Sequence, residues 1–216
     1  MKINKIIDLS VTIYQNMADG SLSPVPDLKP TAFIARDGYN SEVFSAGTHS
    51  GTHFDAPRHF DDDGISIDAL DLNSLIGEGY CINVENLGRE ITRRHLEERW
   101  LPEFDGKIIL LNTGWCKKKR SPSKEFYYEY PGLASDTVDF FLSHKIGLIG
   151  IDSLGIEPTG HREVHQMGLQ KGLVFIEDLA NLDQLIDRKK YFVIALPLKL
   201  LNAGGSFGRV VALDVD

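Results

Sequence analysis

Any fold open to this chain has to gather the side chains of one short stretch. His49-Ser50-Gly51-Thr52-His53-Phe54-Asp55-Ala56-Pro57-Arg58-His59 holds three histidines and an aspartate within eleven residues, all at odd positions. In an extended strand alternate residues point to one face, so the spacing predicts that His49, His53 and Asp55 converge there. His59 follows in phase, with Pro57 breaking the strict extension before it. Gly51, the other residue on that face before Asp55, leaves a space about the size of an ion. Neutral imidazoles with a carboxylate suit Zn²⁺ or a similar first-row metal. A single histidine in a strand is ordinarily a hydrogen-bonded polar residue; three with an aspartate, in phase around a glycine, point to a site.

The chain around this stretch is 216 residues long, which fits one domain spanning residues 1–216. Apolar residues make up 42% and charged residues 25%, ordinary values for a globular chain able to bury a core. The net charge of −8 and the lack of a basic stripe argue against nucleic acid and anionic membrane surfaces as partners. The one basic run, Lys117-Lys118-Lys119-Arg120, reads as a solvated loop. No apolar run is long enough to cross a bilayer, and the N-terminus reaches Asp8 too soon for a signal peptide. Cys81 and Cys116 make no disulfide framework and no CxxC pair, so a reducing cytosol is expected, with both thiols in or near the core.

Along the chain, Ile3–Ile13 reads as an opening strand. Residues 14–30 read as loop because of Asn16, Asp19-Gly20 and the prolines at 24, 26 and 30. Tyr14 and Met17 near its start either line a substrate pocket or pack the loop down. Thr31–Ala35 and Ser41–Ala46 read as short strands around the turn Asp37-Gly38-Tyr39-Asn40. Asp61-Asp62-Asp63-Gly64 lacks EF-hand spacing and reads as a solvated turn. Gly79–Leu87 is β-rich, Thr92 caps a short helix through Arg99, and Lys107–Leu111 has the pattern of a strand buried on both faces. Ser135 caps a helix to about His144, and Gly147–Ile151 is a further buried strand. Buried strands alternating with helices predict an α/β domain.

A second group of polar residues follows. His161 and His165 lie four apart in a predicted helix ending at Gly172, which would put them on one face. Arg162 stands where H-E-x-x-H requires glutamate, so this is not a zincin motif. Leu173–Ile176 then reads as a strand with Glu177 and Asp178 at its exit. The ligands from the first cluster leave a metal short of a closed shell, and His165 and Glu177 are the best-placed residues to complete it.

The pattern His49-x-Gly51-Thr52-His53-x-Asp55-Ala56-Pro57-x-His59 resembles the signature of the putative cyclase family, which includes bacterial kynurenine formamidases and isatin hydrolases. Asp8-Leu9-Ser10, Thr113-Gly114-Trp115, Tyr130-Pro131-Gly132-Leu133 and Gly150-Ile151-Asp152-Ser153 resemble further family blocks, so the likeness runs through nearly the whole chain. It implies a compact α/β fold of the swivelling β/β/α type with a mixed sheet, assembled as a homodimer or larger homo-oligomer. It also implies one or two Zn²⁺ ions, with Mn²⁺ as the alternative. Carried over by position, His49, His53 and Asp55 would hold the first metal, Asp55 and Glu177 would bridge, His165 would hold the second, and His59 would be the catalytic acid/base. His161 maps onto no ligand and would either support the ligands from behind or be a pocket residue. The family's substrate-contacting Trp after the opening strand is absent: Tyr14-Gln15-Asn16-Met17 stands there, and Trp100 and Trp115 lie elsewhere.

The function this implies is metal-dependent hydrolysis of an amide, with N-formylkynurenine going to kynurenine and formate in tryptophan catabolism as the leading case. Water activated by the metal would attack the carbonyl, and His59 would pass its proton to the leaving nitrogen. Alternatives are an isatin-like hydrolase of cyclic amides or lactones, a cyclase on the same metal, and a non-catalytic metal-binding protein. The last is disfavoured because structural zinc sites are commonly Cys-rich and closed by four ligands.

Overall fold

Ile108 and Leu110 turn to one side of their strand and Ile109 and Leu111 to the other, and this parity divides the core in two. A computed structural model of the chain describes residues 2–19, 25–118 and 120–216. Its first half contains β1 (Ile3–Asp8), β2 (Asp27–Ala32), α1 (Ile34–Asp37), β3 (Ser41–Ser45), β4 (His53–Asp55), α2 (Leu72–Leu75), β5 (Ile76–Asn83), β6 (Glu90–Ile91), α3 (Arg93–Glu97) and β7 (Ile108–Asn112). The second half contains α4 (Lys124–Tyr128), β8 (Gly132–Leu133), α5 (Thr137–Ser143), β9 (Leu148–Ile151), α6 (Glu163–Gln170), β10 (Val174–Glu177), β11 (Lys190–Pro197) and β12 (Gly205–Val215).

The main sheet runs β1-β12-β11-β5-β7-β9-β10-β4, and β4 also pairs with β12, so the sheet curls into a barrel-like ring. Strands β5, β7, β9 and β10 are parallel; the remaining pairings are antiparallel. Every strand of the ring sends side chains to one cluster, including Phe54, Cys81, Leu110, Leu148, Ile176, Val193 and Val210. The antiparallel and parallel halves therefore face each other across a shared core. The opposite parity of the parallel strands packs outward, through Ile82, Ile109, Ile149 and Phe175, against Leu96 of α3, Phe141 of α5 and Leu169 of α6. This is β/β/α layering with a mixed sheet, the α/β class expected. No helix among the described residues is long and apolar enough to cross a membrane.

Several expectations are corrected. The opening strand stops at Asp8, and Ser10 adds only an isolated bridge to Leu179. Part of the expected 14–30 loop is strand: β2 carries Pro30 because its one partner is β3, and the register shifts beside that proline. Residues 20–24 of that loop lie outside the described residues. Ile34–Asp37 is a helical turn rather than the end of a strand; Asp37 accepts from Phe33 N at its start, and Gly38 closes it at φ +81°. The helix after Thr92 is short, with Thr92 and His95 forming a capping box.

Candidate active site

The ring closes at β4, a three-residue strand that pairs through His53, Phe54 and Asp55 with β10 on one side and β12 on the other. The expected strand over residues 49–59 is confined to these three. His49 arrives from the preceding turn, and Gly51 takes φ +62°, so alternation does not carry His49 to the same face. A Cβ on Gly51 would meet Val11, Ile13 and Met17 at 3.1–3.3 Å, so the glycine lets the 11–17 segment pack close and does not make room for an ion. Pro57–His59 form a single 3₁₀ turn after β4. The histidines are gathered by two turns flanking a short strand.

Six of the residues singled out in the sequence come together. His49 Nδ1 lies 2.7 Å from Asp55 Oδ1, and His53 Nε2 lies 3.7 Å from the same oxygen and 3.2 Å from Glu177 Oε2. His165 Nε2 lies 3.3 Å from Asp55 Oδ2 and 2.9 Å from Glu177 Oε1. The His59 ring lies 4.1 Å from that of His49 and 6.2 Å from that of His165. Two overlapping trios have ligand atoms close enough to share an ion: His49, Asp55 and His59, and His53, Asp55 and Glu177. Exposure is graded. Asp55, His53 and Glu177 are buried, His49 and His165 are half-buried, and His59 stands at the solvent edge.

The donor set fits a cation. Both Asp55 oxygens are buried without a hydrogen-bond partner, although imidazole nitrogens crowd them. His53 Nδ1 lies 2.8 Å from Gly51 O, an acceptor only, so this nitrogen carries the proton and Nε2 faces the carboxylates. His165 Nδ1 lies 2.6 Å from Glu157 Oε1, leaving its Nε2 facing Asp55 and Glu177. Two imidazoles with their outer nitrogens committed as donors therefore turn their inner nitrogens toward two carboxylates. That arrangement requires a second proton on each ring or a cation between them.

Without a metal the protons take that place. Burial opposes charge on His53, but the hydrogen bond to Glu177 and the charges of Asp55 and Glu177 outweigh it and raise the pKa to about 9. His165 is raised well above its ordinary value against the same opposition from burial, chiefly by Glu177. Burial likewise works against the Asp55 and Glu177 carboxylates, yet the surrounding imidazoles hold both below the usual range. His59 goes the other way. Loss of hydration around its ring pushes it down to about 4, with Asp55 opposing and His49 adding to the effect, so it is neutral at pH 7.

The structure does not bring Tyr14, Met17 or His161 to this cluster. Tyr14 is 45% exposed. Met17 is fully buried behind the His49–His53 turn, near Gly51. His161 precedes α6 rather than lying in it, so it shares no helical face with His165; its neighbour is Glu90, at 3.9 Å, on the surface. Asp61–Gly64 is a surface turn, and the free thiols Cys81 and Cys116 are held well above their ordinary pKa by burial.

Sequence reasoning passed over three supports. Thr52 Oγ1 donates to Asp178 O at 2.6 Å and accepts from Val11 N at 2.9 Å, tying β1's extension and β10 to the turn between the first two histidines. Gly204 and Gly205 let β12 approach: a Cβ on Gly205 would lie 2.7 Å from His49 Nε2 and from Phe54 O, and one on Gly204 would lie 2.8 Å from His59 Cα. Adjacent glycines at the start of a strand were the signal for that closeness. Glu157 is 2% exposed, and an acid between Ile156 and Pro158 ahead of a helix was its signal.

The family model described as "Putative cyclase" matches residues 7–158. A kynurenine formamidase of Bacillus cereus is 31% identical over 215 residues, covering 98% of both chains. That of Bacillus mycoides is 34% identical over 165 residues, 76% of this chain and 75% of its own. Among solved structures, a potential metal-dependent hydrolase with cyclase activity superposes with a TM-score of 0.81 at 25% identity, covering 98% of each chain. Isatin hydrolase A from Labrenzia aggregata bound to benzyl benzoate has a TM-score of 0.88 at 23% identity, over 98% of this chain and 94% of its own, a likeness of fold.

Proposed function

The chain belongs to the putative cyclase family, and from that membership we propose that this metal-dependent amide hydrolase acts on an aryl formamide, N-formylkynurenine, releasing kynurenine and formate. The observation that carries the site assignment is the pair of unpartnered Asp55 oxygens faced by imidazole nitrogens. His49, His53, Asp55, His165 and Glu177 would hold the metal. Asp55 turns one oxygen to His49 and the other to His165, which favours two ions over one, and a His/carboxylate set without cysteine accepts Zn²⁺ or Mn²⁺. When bound, the ions supply a Lewis acid that polarises the carbonyl and makes water acidic enough to attack at neutral pH.

The protein's own part is positional and acid–base. Asp55 and Glu177 fix the centre from inside the sheet, where water is excluded. His59, neutral and at the open side, accepts the proton of the attacking water and delivers it to the departing nitrogen, which leaves readily only once protonated. The protein is expected to work in the cytosol as a homodimer or larger assembly. Val43 (58% exposed) and Phe44 (39%) on the β2–β3 hairpin are apolar surface that such an assembly would cover.

The test pairs elemental analysis of protein purified without added metal with hydrolysis assays on N-formylkynurenine and isatin. Metal-dependent turnover of the formamide, lost with a chelator, is expected. Turnover of isatin alone would move the substrate to cyclic amides, and metal-free protein with full activity would sink the reading.

A further inference from the structure

Helix α6 begins without help from its own N-cap: Arg162 makes no side-chain cap. Two of the free N–H groups of its first turn are taken by Glu157, which lies across the turn. Glu157 Oε2 accepts from Val164 N at 2.7 Å, and Oε1 accepts from His165 N at 3.3 Å. The same Oε1 lies 2.6 Å from His165 Nδ1. Backbone donors at a helix start orient a carboxylate, and that carboxylate in turn takes the ring N–H of a residue in the helix's first turn. Phe60 stacks on a face of the imidazole, 5.3 Å between centroids and 27° between planes. Glu157 itself approaches through Gly132, where an added Cβ would lie 2.5 Å from Glu157 Cα.

We infer that Glu157 is the positioning residue of the second metal ligand. It fixes the His165 tautomer with the proton on Nδ1 and aims Nε2 at Asp55 and Glu177. This rests on the reading of His165 as a ligand. A neutral imidazole has one donor and one acceptor nitrogen, so the partner of one nitrogen decides what the other can do. A glutamine at 157 can accept with one atom only. If its NH₂ faces Nδ1, the proton moves to Nε2 and the ring cannot bind an ion. If its oxygen faces Nδ1, Val164 N loses its acceptor.

A double-mutant cycle on metal binding tests this. Co²⁺ affinity and the d–d absorption spectrum are measured for the parent, Glu157→Gln, His165→Ala and the double variant, together with the melting of each metal-free protein. Loss of such a support typically costs about 10–100-fold in metal affinity. Glu157→Gln is expected to weaken Co²⁺ binding by that factor and alter the spectrum, with no further loss on the His165→Ala background. Parental affinity and spectrum in Glu157→Gln, or an equal loss on both backgrounds, would overturn the inference, the latter marking a purely structural role. A His165→Ala variant that binds as the parent does would instead refute His165 as a ligand. If Glu157→Gln does not fold, ¹⁵N spectra of the histidine rings in the Zn²⁺-loaded parent decide. A His165 bound through Nε2 with a strongly deshielded Nδ1 proton supports the inference, and one bound through Nδ1 overturns it.

Discussion

At the scale of single residues, the site sorts its histidines by depth and by what their outer nitrogens touch. His53 and His165 have theirs anchored, on Gly51 O and Glu157; His59 stands outermost, among rings. It nonetheless lies close enough to His49 and Asp55 to share an ion with them, so ligand and proton carrier make different predictions. As proton carrier, His59→Ala keeps its full complement of metal and loses on the order of 10²–10⁴-fold in turnover; metal-free His59→Ala protein by elemental analysis would make it a ligand. Acidity separates the states of the inner rings. His53 is raised from 6.5 to about 9 in the metal-free protein. Its ion pairing therefore contributes stability that is fully present below pH 6.5 and lost as pH rises through 9. An ion entering the site has to displace that proton, so the metal's affinity rises by about tenfold per pH unit for each proton released over the same window. The melting difference between metal-loaded and chelated protein is expected to widen from pH 6.5 to 9; a constant or narrowing difference would show that no such proton is displaced.

At the scale of elements, the parts of the site legible in the sequence were those whose signal is chemical identity. His49, His53, Asp55, His59, His165 and Glu177 could be singled out because histidines and acids cluster or end apolar strands. The geometry that joins them was not legible. Alternation suggested one long strand, whereas tertiary contacts bend the chain at Gly51 and leave β4 three residues long. Glu157, Thr52 and the 204–205 glycines act through approach distances that no local pattern encodes. The buried strands fared better, since Ile and Leu runs such as Lys107–Leu111 name both faces as apolar and the sheet supplies both. Gly205 shows what the hidden part contributes. Its ring-closing pair with Asp55 holds only because no Cβ stands between β12 and the backbone oxygen of Phe54. Gly205→Ala is expected to cost about 1–3 kcal/mol, and, because it also pushes on His49, to lower metal content. Thermal melting and elemental analysis read the two effects separately, and an unchanged melt with full metal would mean β12 can retreat without cost.

At the scale of the whole molecule, the site lies on the seam where the sheet closes. β4 is joined to β10 and to β12 by three register pairs each, whereas β11 and β12 share six. Ladders of three pairs, as short as those β9 makes with β7 and β10, thus carry the side chains that would bind the metal, and the ligands come from both sides of the seam, β4 and its flanking turns on one and β10 with α6 on the other. Metal would act there as a cross-link present only in the folded state. A ligand at 1,000 times its dissociation constant stabilises by about 4 kcal/mol, and a domain of this size shifts by about 2–4 °C per kcal/mol. Chelation is therefore expected to lower the melting temperature by on the order of 10 °C. It should also release the amides of Phe54, Asp55 and Ser206 to hydrogen exchange while those of β5 and β7 stay protected, since only the seam loses its cross-link. If chelation moved neither the melt nor the exchange at β4, the centre would contribute nothing to closing the sheet. Uniform loss of protection would mean that the seam and the parallel strands open as one unit, with metal acting on global unfolding alone.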